Sequence, residues 1–191
     1  MRRFAIVLAS FVGVFVAYSA FIIDWKGRPE CHTLIMLGFK NWMNSTGSDQ
    51  AKDSPPFPNV SGSSQKSLAA ITEEMGGYMK WTNDYNYIPG LREGDPPDLV
   101  LLYFNRPTRW NWHGAAPTIF QEKAWIIVPV DFGVDARINS RPGQFGEGSE
   151  RVSSVEFRNR LKHTLDFVRT NKRPNWQAVV AEHAKFLDSM E

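Results

Sequence analysis

Residues 108–114 read Thr-Arg-Trp-Asn-Trp-His-Gly. No other short stretch of the chain gathers so many side chains suited to chemistry. Arg109, Trp110 and Trp112 can build a stacking surface for sugars or single-stranded nucleic acid. His113 is of the residue type most often used as a general base. A base also needs a partner or a shifted pKa. The closest acid downstream is Glu122, beyond Thr118-Ile119-Phe120. We therefore read Arg109, Trp110, Trp112 and His113 as a covering or contact loop, available to a ligand or partner, and not as a catalytic one.

The other reactive types are scattered. His32, His113, His163 and His183 show no metal-ligand spacing with carboxylates on one helix face. His163 and His183 fall in helical patterns and read as packing histidines. No serine stands in Gly-x-Ser-x-Gly. The glycine-rich stretch at 141–150 lacks the Gly-Lys-Ser/Thr of a phosphate loop and reads as a plain loop. The carboxylate pairs Glu73-Glu74 and Asp95/Asp98 sit on a helix surface and in a Gly/Pro turn, which suits solvation and turn formation. Cys31 is the only cysteine, so no disulfide forms within the chain. Neither a metal nor a cofactor is expected, and no enzymatic activity.

These residues must be held by elements, and the elements begin with an apolar run. Residues 4–23, FAIVLASFVGVFVAYSAFII, carry no charge. A bilayer core takes roughly 20 such residues as a helix, whereas a signal-peptide core is shorter. Apolar residues continue to Ile23, past the poor cleavage candidate Ala17-Tyr18-Ser19, so an uncleaved anchor is expected. Arg2 and Arg3 precede the run and favour a cytoplasmic N-terminus. The expected location is the inner (cytoplasmic) membrane, spanned once, with the bulk of the chain outside the cytoplasm.

The whole chain holds 22 Lys and Arg against 20 Asp and Glu, so without Arg2 and Arg3 the body is neutral. No global basic field for nucleic acid exists. The basic stretch from Arg151 to Arg173 reads as a solvated helix face. Aromatics make up 13% of the residues, a strong drive to bury a core.

Beyond the anchor (1–24), residues 25–66 read as a juxtamembrane segment and a Ser/Pro/Gly-rich linker, and 67–191 as a single domain. Asn44-Ser45-Thr46 and Asn59-Val60-Ser61 fit the glycosylation pattern, in loops where such triplets arise by chance. Ser64 to Met75 predicts a helix with Leu68, Ile71 and Met75 on one face. The runs PDLVLLYF (97–104) and AWIIVPV (124–130) predict buried strands, with Pro129 near a strand end. Thr118–Phe120 offers a further short strand, and 131–150 a loop.

The C-terminus is plainer. Ser153 and Glu156 form a capping-box pattern, followed by a stripe of Phe157, Leu161, Leu165 and Val168. Pro174 ends that helix, Asn175 is placed to cap the next, and Trp176, Val179, Val180, His183 and Leu187 repeat at helical spacing. The expected fold is α+β: an N-terminal transmembrane helix, a small mainly antiparallel sheet and a C-terminal helical hairpin.

The stretch IPGLREGDPPDLVLLYF, followed by HGAAPTIFQEKAWIIV with its loop His113, short strand Thr118-Ile119-Phe120 and strand at Trp125, resembles exported bacterial pseudopilin-like proteins. These are relatives of type II secretion and type IV pilins that carry His-x9-Asp-Gly. The likeness covers about residues 88–130. Lys123-Ala124 stands at the Asp-Gly position, and the N-terminus lacks the Gly-Phe-Thr-Leu-Ile-Glu of a processed prepilin. The resemblance thus implies a compact, non-catalytic, membrane-tethered α+β body, with envelope or secretion-system proteins as partners. The alternatives are a cell-envelope binding module that uses the aromatic loop on a glycan or peptide, and, third, an anchored hydrolase.

Overall fold

A computed structural model describes residues 12–18, 57–73, 84–92, 94–108, 122–130 and 149–190. Within these the protein is α+β. Helix α1 (Ser64–Glu73) precedes strands β1 (Tyr85–Tyr87), β2 (Val100–Phe104), β3 (Trp125–Pro129) and β4 (Glu150–Val152), and helices α2 (Ser154–Thr170) and α3 (Trp176–Asp188) follow. The strands form one antiparallel meander in the order β1-β2-β3-β4.

β2 and β3 are central, and all five residues of each are buried. That is why they read as unbroken apolar runs and not as alternating ones: neither face meets water. Tyr103, Ile127, Trp125 and Val152 share one face, and the α2–α3 hairpin covers it. Phe157 of α2 stacks on Trp125 at 4.2 Å between ring centroids and meets Tyr103 at 5.2 Å; Phe186 of α3 lies across both rings. A bulge between Val100 and Leu102 interrupts the β2–β3 register. Thr164 of α2 serves it: its Oγ1 accepts from Val100 N–H at 2.9 Å and donates to Arg160 O at 2.8 Å.

The α2 stripe is buried as its spacing predicts, and the Ser153 side chain accepts from Glu156 N–H at 3.2 Å. Glu156 itself turns towards Arg160, 4.0 Å away. The exit from α2 is a Schellman turn: Lys172 N–H donates to Arg169 O and Arg173 N–H to Val168 O, with Lys172 left-handed at φ 46°. Asn175 stands at the N-cap of α3, but its side chain makes no capping bond and donates to Asn59 Oδ1 instead. Val179, His183 and Leu187 are buried, while Trp176 and Val180 are only partly so.

Two features lie beyond what the sequence pattern marks. The packed body reaches back to Phe57, ahead of residue 67: its side chain is in the core and its N–H donates to Leu91 O at 2.7 Å. β1 and β4 are strands that no apolar pattern announced, β4 beginning at Glu150 within the stretch read as a loop. α1 is described to Glu73, so Met75 lies outside the described residues, as do Thr118–Phe120.

Of the apolar run 4–23, residues 12–18 are described. They are helical, and Val12, Val14, Phe15, Val16 and Tyr18 are all more than half exposed. Among the described residues no helix is long and apolar enough to cross a membrane.

Candidate functional site

Arg109, Trp110, Trp112 and His113 lie outside the described residues; the residues that flank them, up to Thr108 and from Glu122, are described. Thr108 and Ala124 form an antiparallel bridge, with N–H···O distances of 2.8 and 2.9 Å in the two directions. Arg151, on β4, donates through Nη2 to Thr108 O and to Glu122 O, each at 3.3 Å. A guanidinium from the neighbouring strand thus ties the segment ending at Thr108 to the one beginning at Glu122. Burial lowers the pKa of Arg151, yet two carbonyl acceptors suit its charge. Nothing in the spacing of the sequence points to this clamp, because Arg151 is 43 residues from Thr108.

The buried polar groups of the body centre on His183. Its Nε2 lies 3.1 Å from Tyr87 O, and its Nδ1 lies 2.8 Å from Tyr103 Oη. A carbonyl only accepts, so Nε2 carries the proton and Nδ1 accepts from the tyrosine hydroxyl. Burial lowers the pKa of His183 from 6.5 to about 4, although the bond to Tyr87 O opposes the shift. The ring is neutral at neutral pH. Burial also raises the pKa of Tyr103, with a contribution from the charge of Glu182, and raises that of Tyr87, whose hydroxyl donates to Pro58 O at 3.0 Å. Both nitrogens of His183 are committed to the fold and the residue is almost wholly enclosed. This is the arrangement of a joint between α3, β1 and β2, as expected of a packing histidine.

A second polar joint lies at the α2–α3 turn. Arg173 Nη2 donates to Asp95 Oδ1, and Arg92 N–H donates to Asp95 Oδ2 at 2.8 Å. Burial raises the Asp95 pKa, and the Arg92 N–H and the two cationic side chains counter it. Asp95 thus holds a turn, as its Gly/Pro setting suggests. Asp98 lies exposed, 3.4 Å from the equally exposed His163. Asn59 completes the joint: its Nδ2 donates to Pro174 O at 2.5 Å, and its Oδ1 accepts from Gly62 N–H at 2.9 Å. A Cβ at Gly90, where φ is 89°, would lie 2.9 Å from that same Nδ2. The amide of the Asn59-Val60-Ser61 triplet is therefore engaged in structure.

Among the described residues no three His, Cys, Asp or Glu side chains gather as a metal site would require. Glu73-Glu74 fall at or past the end of what is described. No family model matches the chain, and neither a curated protein nor a solved structure matches it.

Proposed function

We propose that the protein is a membrane-anchored structural or assembly component without catalytic activity, its α+β body held on the non-cytoplasmic side of the inner membrane. One observation carries the reading. Within the uncharged run 4–23, residues 12–18 are helical and present Val12, Val14, Phe15, Val16 and Tyr18 outward. A helix with apolar side chains turned outward suits a lipid environment. The chemistry of the body supports the second half of the proposal. His183, Asp95 and Arg151, whose pKa values burial shifts, all have hydrogen-bond partners that join elements of the fold. The pseudopilin-like resemblance over residues 88–130 is consistent with an envelope assembly role, with envelope or secretion-system proteins as partners.

Fusing the C-terminus to a reporter active only outside the cytoplasm tests the topology. The expected result is an active fusion that stays in the membrane pellet after carbonate washing. A silent fusion, or recovery in the soluble fraction, refutes the reading.

A second reading is a binding module that presents Arg109, Trp110, Trp112 and His113 to a glycan or peptide. The observation that favours it is the clamp on its flanks: the Thr108–Ala124 bridge and Arg151 tie the segment ending at Thr108 to the one beginning at Glu122. Glycan or peptide retention lost on Trp110→Ala or Trp112→Ala, with the melting temperature unchanged, would support it. Measurable turnover lost in His113→Ala with the fold intact would instead favour the hydrolase.

A further inference from the structure

A strand at the edge of a sheet exposes N–H and C=O groups that will accept any further strand, and proteins commonly guard such edges with charge, proline or a covering element. β1 is an edge strand and its residues, Tyr85-Asn86-Tyr87, carry no charge. In the ladder with β2, Ile88 N–H donates to Leu101 O and Asn105 N–H to Asp84 O. Antiparallel ladders alternate, so in this register Asn86 also faces β2, and the backbone groups of Tyr85 and Tyr87 point away from the sheet.

Side chains, not a strand, meet those outward groups. Tyr87 N–H donates to Ser64 Oγ at 2.7 Å, Tyr85 O accepts from Gln65 Nε2 at 3.2 Å, and Tyr87 O accepts from His183 Nε2 at 3.1 Å. Ser64 and Gln65 open α1, and His183 lies on α3. The two helices are tied to each other as well: Ser64 N–H, at the positive end of α1, donates to Glu182 Oε2 at 3.1 Å. Consecutive residues of α3 thus fasten the first turn of α1 and the edge of β1.

We propose that α1 and α3 form an autoinhibitory seal on β1, and that the occupant they exclude is β1 of a second copy of this chain. The donor and acceptor pattern fits that occupant. A second copy related by a twofold axis at Asn86 brings its Tyr85 carbonyl to Tyr87 N–H and its Tyr85 N–H to the Tyr87 carbonyl, and the axis repeats the pair. An uncharged strand meets no like charge from its own copy across such an axis. The inference rests on the described body alone and is independent of where the chain resides.

The test uses the full chain in a density-matched detergent. Ser64→Ala/Gln65→Ala removes two of the three covering groups, and Ser64→Ala alone, which removes one hydroxyl, already releases the Tyr87 amide. Sedimentation velocity across a concentration series is expected to show the parent at constant mass and the variants doubling that mass as concentration rises. Amide exchange gives the second readout. In dilute variant the Tyr87 amide should exchange at least tenfold faster than in the parent, with Asn86 unchanged, and should slow again as the dimer forms. A variant with native far-UV dichroism that keeps the parent mass at every concentration overturns the proposal. So does a dimer in which the Tyr87 amide stays fast, because that dimer forms elsewhere. Should the double variant fail to fold, the single one decides.

Discussion

A neutral imidazole enclosed among aromatic rings makes a fold sensitive to acid in a calculable way. The folded pKa of His183, about 4, lies below the unfolded value of 6.5. The unfolded chain therefore binds the proton first, and stability falls as pH drops from about 6.5 towards 4. From pH 7 to pH 5 the loss attributable to this residue should be about 2 kcal/mol. Denaturant unfolding at the two pH values checks it. His183→Gln, which keeps a donor for Tyr87 O, should be less stable at pH 7 and should lose that part of the pH dependence; an unchanged slope would mean that the histidine is not buried neutral. Lys172 permits the opposite experiment. It occupies the left-handed position of the Schellman turn, exposed and at φ 46°. A Cβ there costs roughly 1 kcal/mol that glycine avoids. Lys172→Gly should raise stability by about 0.5–1 kcal/mol, read as a higher melting temperature.

The helical hairpin shows how burial ranks residues that look equivalent in a helical pattern. Phe157 is fully enclosed, stacked on Trp125 and in contact with Tyr103. Phe157→Ala should cost about 3–5 kcal/mol through lost transfer energy and the cavity left behind. Trp176 belongs to the helical repeat of α3 as Phe157 does to the stripe of α2, but it sits partly buried at the first turn of α3. Trp176→Ala should cost only about 1–2 kcal/mol, since much of its surface already meets water. Chemical denaturation of the two variants side by side decides, and equal losses would show that the hairpin docks differently. The turn between these helices also takes over Asn59, whose amide donates to Pro174 O.

For the molecule as a whole, the proposed anchoring makes orientation follow the charges that flank the apolar run. Arg2 and Arg3 lie on one side, and Asp24, Lys26 and Arg28 on the other. The bias is small, because basic residues stand on both sides. Replacing Arg2 and Arg3 by Glu should therefore lower the activity of a C-terminal periplasmic reporter markedly while leaving the protein in the membrane fraction. Full reporter activity in that variant would show that other features set the orientation. The body is close to neutral, so on the anchored reading proposed above the protein should stay in the membrane fraction at high salt, because screening weakens a surface-charge attachment and not an apolar one.

The amino-acid sequence by itself determined the elements whose causes are local. β2 and β3 follow from apolar runs between turn-formers, and α2 from its cap at Ser153 and its stripe from Phe157 to Val168. α3 follows from the repeat after Pro174, and His183 is visible there as a residue facing the core. Each of these signals lies within a few residues along the chain, where side-chain direction is set by the element itself. The tertiary structure alone decided the rest. β1 and β4 are three residues long and carry no period of their own; pairing with a strand already placed makes them strands. Arg151 meets Thr108 and Glu122, Asn59 meets Pro174, and Ser64 and Gln65 meet β1 only because the fold brings distant residues together. The tautomer and depressed pKa of His183 likewise come from Tyr87 and Tyr103, 96 and 80 residues away. Hydrogen-bond partners and desolvation depend on what surrounds a group in space, and a one-dimensional pattern does not encode that.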